Sequence, residues 1–130
     1  MADTNEPTVA TPSDAVEEMR PRWEMCEALL GGTEEMREAG EAYLPKWPKE
    51  DADAYKARLA VSVLLPAYKR TVETLAAKPF SKPVTIGDDV PARLQEWLDD
   101  VDMEGRNLDR FASDIMECAM GYGLCGILVD

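Results

Sequence analysis

The residues whose types and spacing come nearest to a chemical site are the acids of segment 100–105, which reads DVDMEG. Acidic side chains at alternate positions, followed by glycine at the sixth, match the first half of an EF-hand calcium loop. The second half does not match, because the eighth position is Asn107 and the twelfth is Phe111, where a bidentate glutamate is needed. We therefore expect a solvated turn between two helices, with no metal ligands.

The chain has no histidine and three cysteines, Cys26, Cys118 and Cys125. Without histidine it lacks the commonest general base near neutral pH and the usual partner for a cysteine nucleophile or zinc site. The cysteines are odd in number and lack CxxC spacing, so we expect reduced, intracellular thiols that pack as small hydrophobes. No catalytic residue, cofactor or metal is predicted, and the chain is not expected to be an enzyme.

Two further kinds of site receive weak support. Adjacent acids at 17–18, 34–35, 88–89 and 99–100 lie at helix starts or in loops, where the helix dipole favours them. A glycosidase-type acid pair stays open as an alternative, but nothing selects one pair. Glycines at 121–126 lack a nucleotide-binding context. The basic residues at 69, 70, 78 and 82 are interpreted as a solvated helix end rather than a phosphate contact.

Composition narrows the class of protein. The net charge of −12 favours solubility and repels nucleic acid and anionic membranes unless the basic residues cluster. No apolar run reaches the roughly 18–20 residues of a membrane span. Residues 1–12 are predicted to form a flexible polar tail, with no features of a secretory signal.

The stretch 49–83 is the element around which the rest is organised. Its apolar residues recur at three- and four-residue steps, from Tyr55 through Leu59, Val63 and Tyr68 to Val72 and beyond, which predicts an amphipathic helix. Because Pro66 disfavours helix at the preceding residue, we expect two helical arms with a kink or short break near 65–66.

Shorter elements flank these arms. Helices are predicted from about 13 to 30 with a restart at Pro21, from 33 to 39, from 89 to about 101, and from Asn107 to about Tyr122. The segment 41–50 (EAYLPKWPKE) is expected to pack on its own domain rather than to serve as a recognition peptide. Strands are predicted at 82–86 and 124–129. The fold class is mainly α with short β-strands, an α+β arrangement.

The apolar run 124–129 is predicted to be a buried strand that lacks a partner in the sequence. Unpaired backbone groups are costly when buried and prone to aggregation when exposed. We therefore expect residues 13–130 to be the N-terminal portion of a longer protein, which would supply the partner strand.

The order of several motifs resembles the N-terminal region of the portal proteins of tailed bacteriophages. These motifs are RW at 22–23, LGGT at 30–33, YLPK at 43–46, YKARL at 55–59, KRTV at 69–72, KPF at 78–80, GRNLDRF at 105–111 and GYGLCGILVD at 121–130. The resemblance covers most of the chain after the tail. It implies that 13–130 is a helical part of the portal wing, without the channel helices, stem and crown.

The resemblance also implies a function. Portal proteins form rings, usually dodecamers, at one vertex of the phage head in the virion, and DNA passes through the ring during packaging and ejection. The implied partners are other copies of the chain, the terminase, the capsid or scaffold protein and the head-completion proteins. Double-stranded DNA would pass without sequence-specific binding, and no membrane is involved.

The alternative from another class is a small acidic helical module that binds a protein partner, and a carboxylate hydrolase is the third reading. Under either of the first two readings, the candidate packing or interface residues are the large apolar and aromatic side chains Trp23, Trp47, Tyr55, Leu59, Tyr68, Phe80, Trp97 and Phe111.

Overall fold

A computed structural model describes Thr8 and residues 10–129, so most of the predicted tail at 1–12 lies outside the described residues. The described chain is mainly helical, as predicted. The α-helices are α1 (Asp14–Gly31), α2 (Thr33–Ala39), α3 (Ala52–Val61), α4 (Ala67–Ala77), α5 (Ala92–Gln95) and α6 (Leu108–Tyr122). Short 3-10 turns cover Gly40–Ala42, Pro79–Ser81 and Glu96–Asp99.

Side-chain caps begin two of these helices, and the cap of α6 is Asn107, where the sequence predicted the helix to start. The carboxylate Oδ1 of Asp51 accepts hydrogen bonds from the backbone N–H groups of Asp53 and Ala54, at 2.9 and 2.8 Å. At α6, the Asn107 Oδ1 accepts from the Arg110 N–H at 3.0 Å. Gly123 ends α6 in the left-handed conformation, with φ of 77°. Such caps satisfy helix-end groups locally, which is why local sequence predicts them.

The predicted restart at Pro21 was wrong, because α1 continues through that residue. A proline inside a helix removes one hydrogen bond, in this case the one that the Glu17 carbonyl would accept. Glu17 is exposed, so water can satisfy its carbonyl. The helix predicted from 89 to about 101 is also shorter than expected, being divided into α5 and a 3-10 turn.

The break between the two central arms is longer than a kink. Residues 62–65 are neither helix nor turn, and Ser62 has extended backbone angles, φ −67° and ψ 139°. Pro66 (φ −78°, ψ 43°) then forms a tight turn, in which the Ala67 N–H donates to the Leu65 carbonyl at 2.8 Å. These angles approach an inverse γ-turn. The chain therefore crosses from α3 to α4 as a short straight segment.

The two predicted strands are not present as paired strands in the part of the chain that the structure describes. Residues 82–86 and 124–129 are both non-helical and lie against no other strand. Val84 instead donates its N–H to the Asp109 Oδ1 at 2.6 Å. Residues that favour strands form a ladder only when a second strand meets them, and neither segment meets one.

The core lies where α1, α4 and α6 meet. Val72 and Ala76 of α4 are buried, and Gly121 of α6 lies so close to α1 that an added Cβ would stand 3.1 Å from the Leu30 Cδ1. The start of α4 lies beside the end of α6, because the Tyr68 hydroxyl donates to the Gly121 carbonyl. The segment after α4 reaches the start of α6 through the Val84–Asp109 bond. Helices α4 and α6 are therefore antiparallel.

This core is small for a chain of 130 residues. Among the described residues the buried set is Met36, Tyr55, Val72, Ala76 and Gly121. The accessible surface is 10,721 Å². A compact monomer of 14.4 kDa would expose roughly 6,800 Å². Several large apolar side chains among the described residues stay exposed, including Val61, Val63 and Leu65.

Candidate interaction surface

The crossing from α3 to α4 presents three apolar side chains to solvent. Val61, Val63 and Leu65 are 76%, 76% and 78% exposed, whereas Ser62 and Leu64 between them are half-buried. Val61 is the last residue of α3, and in the extended segment that follows it the exposed Val63 and Leu65 alternate with the half-buried Ser62 and Leu64. We call Val61–Leu65 the apolar edge. Its outward face is apolar, and contiguous exposed apolar side chains are typical of interaction sites.

Helix α2 holds the apolar edge in place through two side chains. The Arg37 guanidinium donates twice to the Ser62 carbonyl, through Nε at 3.0 Å and Nη2 at 2.8 Å. The hydroxyl of Thr33 accepts a hydrogen bond from the Leu64 N–H at 3.1 Å. Thr33 is the first residue of α2, as predicted, and Gly32 takes the cap position, so the Thr33 side chain is available for this bond. The edge is therefore fixed by polar contacts on its inner side.

The outer side of the apolar edge has open backbone groups. Across the described chain, neither the N–H nor the C=O of Val63 has a hydrogen-bond partner, and the Leu65 N–H has none either. In a strand, the backbone groups of alternate residues point to opposite sides. On the inner side, the Ser62 carbonyl and the Leu64 N–H bond to α2, whereas the Ser62 N–H bonds to the Arg58 carbonyl of α3. This outer side has the features of a free strand edge.

A second ordered cluster surrounds Arg58 in α3. Its guanidinium donates to both carboxylate oxygens of Glu50 at 2.8 Å and to the Pro45 carbonyl at 3.0 Å. It also lies 5.3 Å from the ring centre of Tyr55 and 6.0 Å from that of Trp47, within cation–π range. The hydrogen bond from Arg58 lowers the pKa of Glu50 to about 2.

The Arg58 cluster attaches segment 41–50 to α3, in agreement with the expectation that the segment packs on its own domain. The Tyr55 hydroxyl donates to the Leu44 carbonyl at 3.1 Å, and Tyr55 is buried. Trp47 behaves differently, since it is 70% exposed and borders an open cleft of about 520 Å³. The backbone of the segment is packed, whereas its tryptophan faces solvent.

The other candidate packing or interface residues are divided between the core and the surface. Trp23 donates its Nε1–H to the Tyr122 carbonyl at 3.1 Å, and Tyr68 bonds to the end of α6. Trp97 lies in the 3-10 turn after α5 and is 63% exposed. Leu59, Phe80 and Phe111 are half-buried. These candidates do not form one site.

The acidic segment 100–105 directs its oxygens toward its own backbone. The Asp100 Oδ1 accepts from the Gly105 N–H at 2.8 Å, and the Asp102 Oδ1 accepts from the N–H groups of Glu104 and Arg106 at 3.0 and 3.2 Å. The Asp102 Oδ2 is buried and lies 3.0 Å from the Arg106 Nε, at an angle that makes the contact an ion pair without a hydrogen bond. The segment is a turn stabilised by its own carboxylates.

An open cleft of about 670 Å³ lies between α1, α4 and α6. Its charged lining alternates in sign, with Lys69, Arg106 and Arg110 facing Asp114 and Glu117. Arg106 and Arg110 are already engaged by Asp114, at 3.8 and 3.1 Å. A cleft whose arginines are paired with its own acids has little capacity left for an anion. The residues Lys69, Arg70, Lys78 and Lys82, interpreted as a solvated helix end, are all exposed.

The three cysteines, all free thiols and half-buried, lie near the core junction. The Tyr68 hydroxyl lies 3.5 Å from the Cys26 Sγ, and this hydrogen bond together with burial raises the pKa of Tyr68 to about 12. A hydrogen bond with Cys125 raises the pKa of the Cys118 thiol. A thiol with a raised pKa is a poor nucleophile at neutral pH.

The described residues form neither a metal-binding cluster nor a membrane-spanning helix. No group of three or more His, Cys, Asp or Glu residues is placed to hold a metal ion there. The helices in that part of the protein are too short or too polar to cross a membrane.

Sequence reasoning missed the apolar edge and the side chains that fix it. The available signal was the alternation of Val61, Val63 and Leu65 directly before Pro66. The helical spacing predicted Val63 to be buried, because it lies four residues after Leu59 and four before Ala67. The contacts from Thr33 and Arg37 join residues 25 to 31 positions apart, which no local pattern reports. Comparison with protein-family models, curated proteins and solved structures finds no match to this chain.

Proposed function

We propose that this protein is a structural assembly subunit without catalytic activity, whose apolar surface becomes covered when copies associate. The observation that carries this proposal is the exposure of large apolar side chains in two segments, with Val61, Val63 and Leu65 at 76%, 76% and 78% and Leu128 and Val129 at 96% and 86%. A stable interface buries about 1,200–2,000 Å² in total. Side chains as exposed as these would be covered within such an interface.

The form of assembly that we propose is a ring of the phage portal type. The number of subunits in the assembly is its simplest test. The order of sequence motifs supports this choice, and the ring would be a dodecamer at the head vertex of the virion. Residues 13–130 would belong to the wing, and 124–129 would become a strand on meeting a partner. Terminase, capsid or scaffold protein and head-completion proteins would dock on the ring. The charge of −12 would help DNA to pass without adhering.

Native mass spectrometry of the full-length protein, combined with negative-stain imaging, tests the proposal. We expect ring-shaped particles of about a dozen subunits, as the portal resemblance implies. Particles of another closed symmetry would keep the assembly function and exclude the portal ring. A single-subunit mass under several salt conditions would exclude both.

The second candidate is an acidic helical module that binds a protein partner through Trp47. The observation that favours it is the position of this indole, 70% exposed on a segment fixed by Arg58. Exposed tryptophans on ordered supports are typical anchors of protein interfaces. This candidate requires a monomer whose partner binding is lost in Trp47→Ala and retained in Trp97→Ala, which removes an indole of similar exposure.

A further inference from the structure

We propose that Cys118 and Cys125 form a thiol pair that closes reversibly into a disulfide and ties the segment after α6 to that helix. Cys118 lies near the end of α6, and Cys125 follows Gly123, the residue that ends the helix, by two positions. Association between copies is not required, because both sulfurs belong to one subunit.

The end of α6 turns the chain directly before Cys125. Gly123 is in the left-handed conformation, and its N–H donates to the Ala119 carbonyl at 2.8 Å, which directs the following residues away from the helix axis. Within 124–129, Cys125 is half-buried, whereas the other five residues are exposed. The side chain of Cys125 is therefore the one in this segment that is turned toward the described body of the protein.

The side chain that Cys125 meets is the thiol of Cys118. A hydrogen bond with Cys125 is the main cause of the raised pKa of Cys118, ahead of burial. Cys118 also lines the open cleft between α1, α4 and α6, so a dissolved reagent can reach it. The third cysteine, Cys26, is engaged separately, because its sulfur lies 3.5 Å from the Tyr68 hydroxyl.

The backbone around Cys125 can adjust to the geometry of a disulfide. A disulfide requires two Cα atoms about 4.4–6.8 Å apart and a defined torsion about the sulfur–sulfur bond. Residues 124–129 make no main-chain hydrogen bond within the described chain, so a shift of Cys125 breaks none. Cys118 stays fixed in α6, and closure moves the segment rather than the helix.

The oxidant of this reaction is a small-molecule disulfide such as oxidised glutathione. Cys125 loses its proton to solvent and attacks one sulfur of the oxidant, which forms a mixed disulfide and releases one glutathione. Cys118 then loses its proton and attacks the Cys125 sulfur, which forms the protein disulfide and releases the second glutathione. Two protein thiols are oxidised, and one small-molecule disulfide is reduced to two thiols. The second attack is the slower step at neutral pH, because the thiolate is the nucleophile and the pKa of Cys118 is raised.

Peptide mapping of the full-length protein tests the pair. The protein is equilibrated with excess oxidised glutathione, the remaining thiols are blocked with iodoacetamide, and the chain is cleaved with trypsin. Cys118 and Cys125 both lie in the peptide that begins at Phe111, whereas Cys26 lies in the peptide 23–37. We expect the first peptide to lose two hydrogen atoms without gaining a blocking group or glutathione. Reduction with dithiothreitol should restore both thiols.

The protein unfolded in concentrated urea is the control for the contribution of the fold. Two cysteines this close in sequence can also pair in a flexible chain, so the folded protein must close the bond more readily. At one fixed ratio of reduced to oxidised glutathione, we expect the ratio of closed to open pairs to be at least about tenfold higher in the folded protein. Equal ratios in the folded and unfolded protein would overturn the inference.

Serine substitutions identify the sulfurs that react. Cys118→Ser should accumulate the mixed disulfide between Cys125 and glutathione, because the thiol that resolves it is absent. Cys26→Ser is the matched control at another half-buried cysteine and should close the pair as the native protein does. Circular dichroism establishes that each variant keeps its helical content.

Three results would contradict the pair. The first is full blocking of Cys118 and Cys125 by iodoacetamide after exposure to oxidised glutathione. The second is a bond that joins the peptide 23–37 to the peptide from Phe111, which would assign Cys26 as the partner. The third is loss of closure in Cys26→Ser.

Discussion

Arg37 fixes the position of the apolar edge through a single backbone carbonyl. Hydrogen bonds from a charged group contribute about 1.5–3 kcal/mol. We therefore expect Arg37→Ala to lower the free energy of unfolding by about that amount, since its two bonds to Ser62 are lost. Urea unfolding measures the change, and amide exchange at Leu64 should become faster. Arg70→Ala, at an exposed position on α4, is the control. Equal effects of the two substitutions would contradict the role assigned to Arg37.

The interaction of Glu50 with Arg58 makes the stability of the folded protein depend on pH. Its pKa is lowered from 4.5 to about 2 in the folded protein by the hydrogen bonds from Arg58. A lowered pKa means that the folded state favours the carboxylate, so this contribution to stability is present above pH 4.5 and is lost as the pH falls through about 2. Glu50→Gln removes the ionisation.

Urea unfolding at several pH values between about 5 and 2 measures this effect. The native protein should lose more stability over that range than Glu50→Gln does. The control is Glu104→Gln, whose carboxylate is 71% exposed in its contact with Arg106. Parallel profiles for the native protein and Glu50→Gln would show that the Arg58 pair does not contribute.

At the scale of elements, α1 and α6 depend on a close approach at Gly121. An added Cβ would stand 3.1 Å from the Leu30 Cδ1 and 3.9 Å from the Val72 Cγ1. Gly121→Val adds two further methyl groups, so we expect it to lower the free energy of unfolding by about 1–3 kcal/mol through overpacking. Met120→Val tests valine at the adjacent, exposed position of the same helix. Thermal unfolding compares them, and equal losses would show that the helices can separate without cost.

The elements also show which parts of the fold local sequence can predict. Asn107 was predicted as the start of α6, and Asp51, Asn107 and Gly123 all act locally, because each makes its cap hydrogen bond within four residues of its own position. The α3–α4 break was predicted from Pro66. Its length was not, because residues 62–65 are held straight by α2, and that contact is distant in sequence.

The strand predictions failed for a related reason. Residues 82–86 and 124–129 have strand-forming side chains, but a strand also requires a partner, and composition does not reveal one. The exposure of a side chain was predicted wrongly where a helical spacing and a strand-like spacing overlap. Val63 fits both a helical stripe and a two-residue alternation, and its 76% exposure shows that the alternation applies.

At the scale of the whole molecule, net charge opposes self-association while apolar surface favours it. Salt shortens the range of repulsion between copies that each carry −12, with a Debye length of about 10 Å at 0.1 M and about 30 Å at 0.01 M. We therefore expect assembly to become stronger as salt rises over this range. Light scattering at constant protein concentration measures it. Assembly that weakens with salt would indicate that ion pairs, and not uncharged segments, hold the copies together.

The most direct test of the assembly function is the mass of the full-length protein by sedimentation equilibrium, measured over a wide range of concentration at physiological salt. We expect a mass that is a fixed multiple of the subunit mass and that falls only at high dilution. A mass equal to one subunit at every concentration would contradict the proposal, because the apolar surface of the chain would then remain uncovered without association.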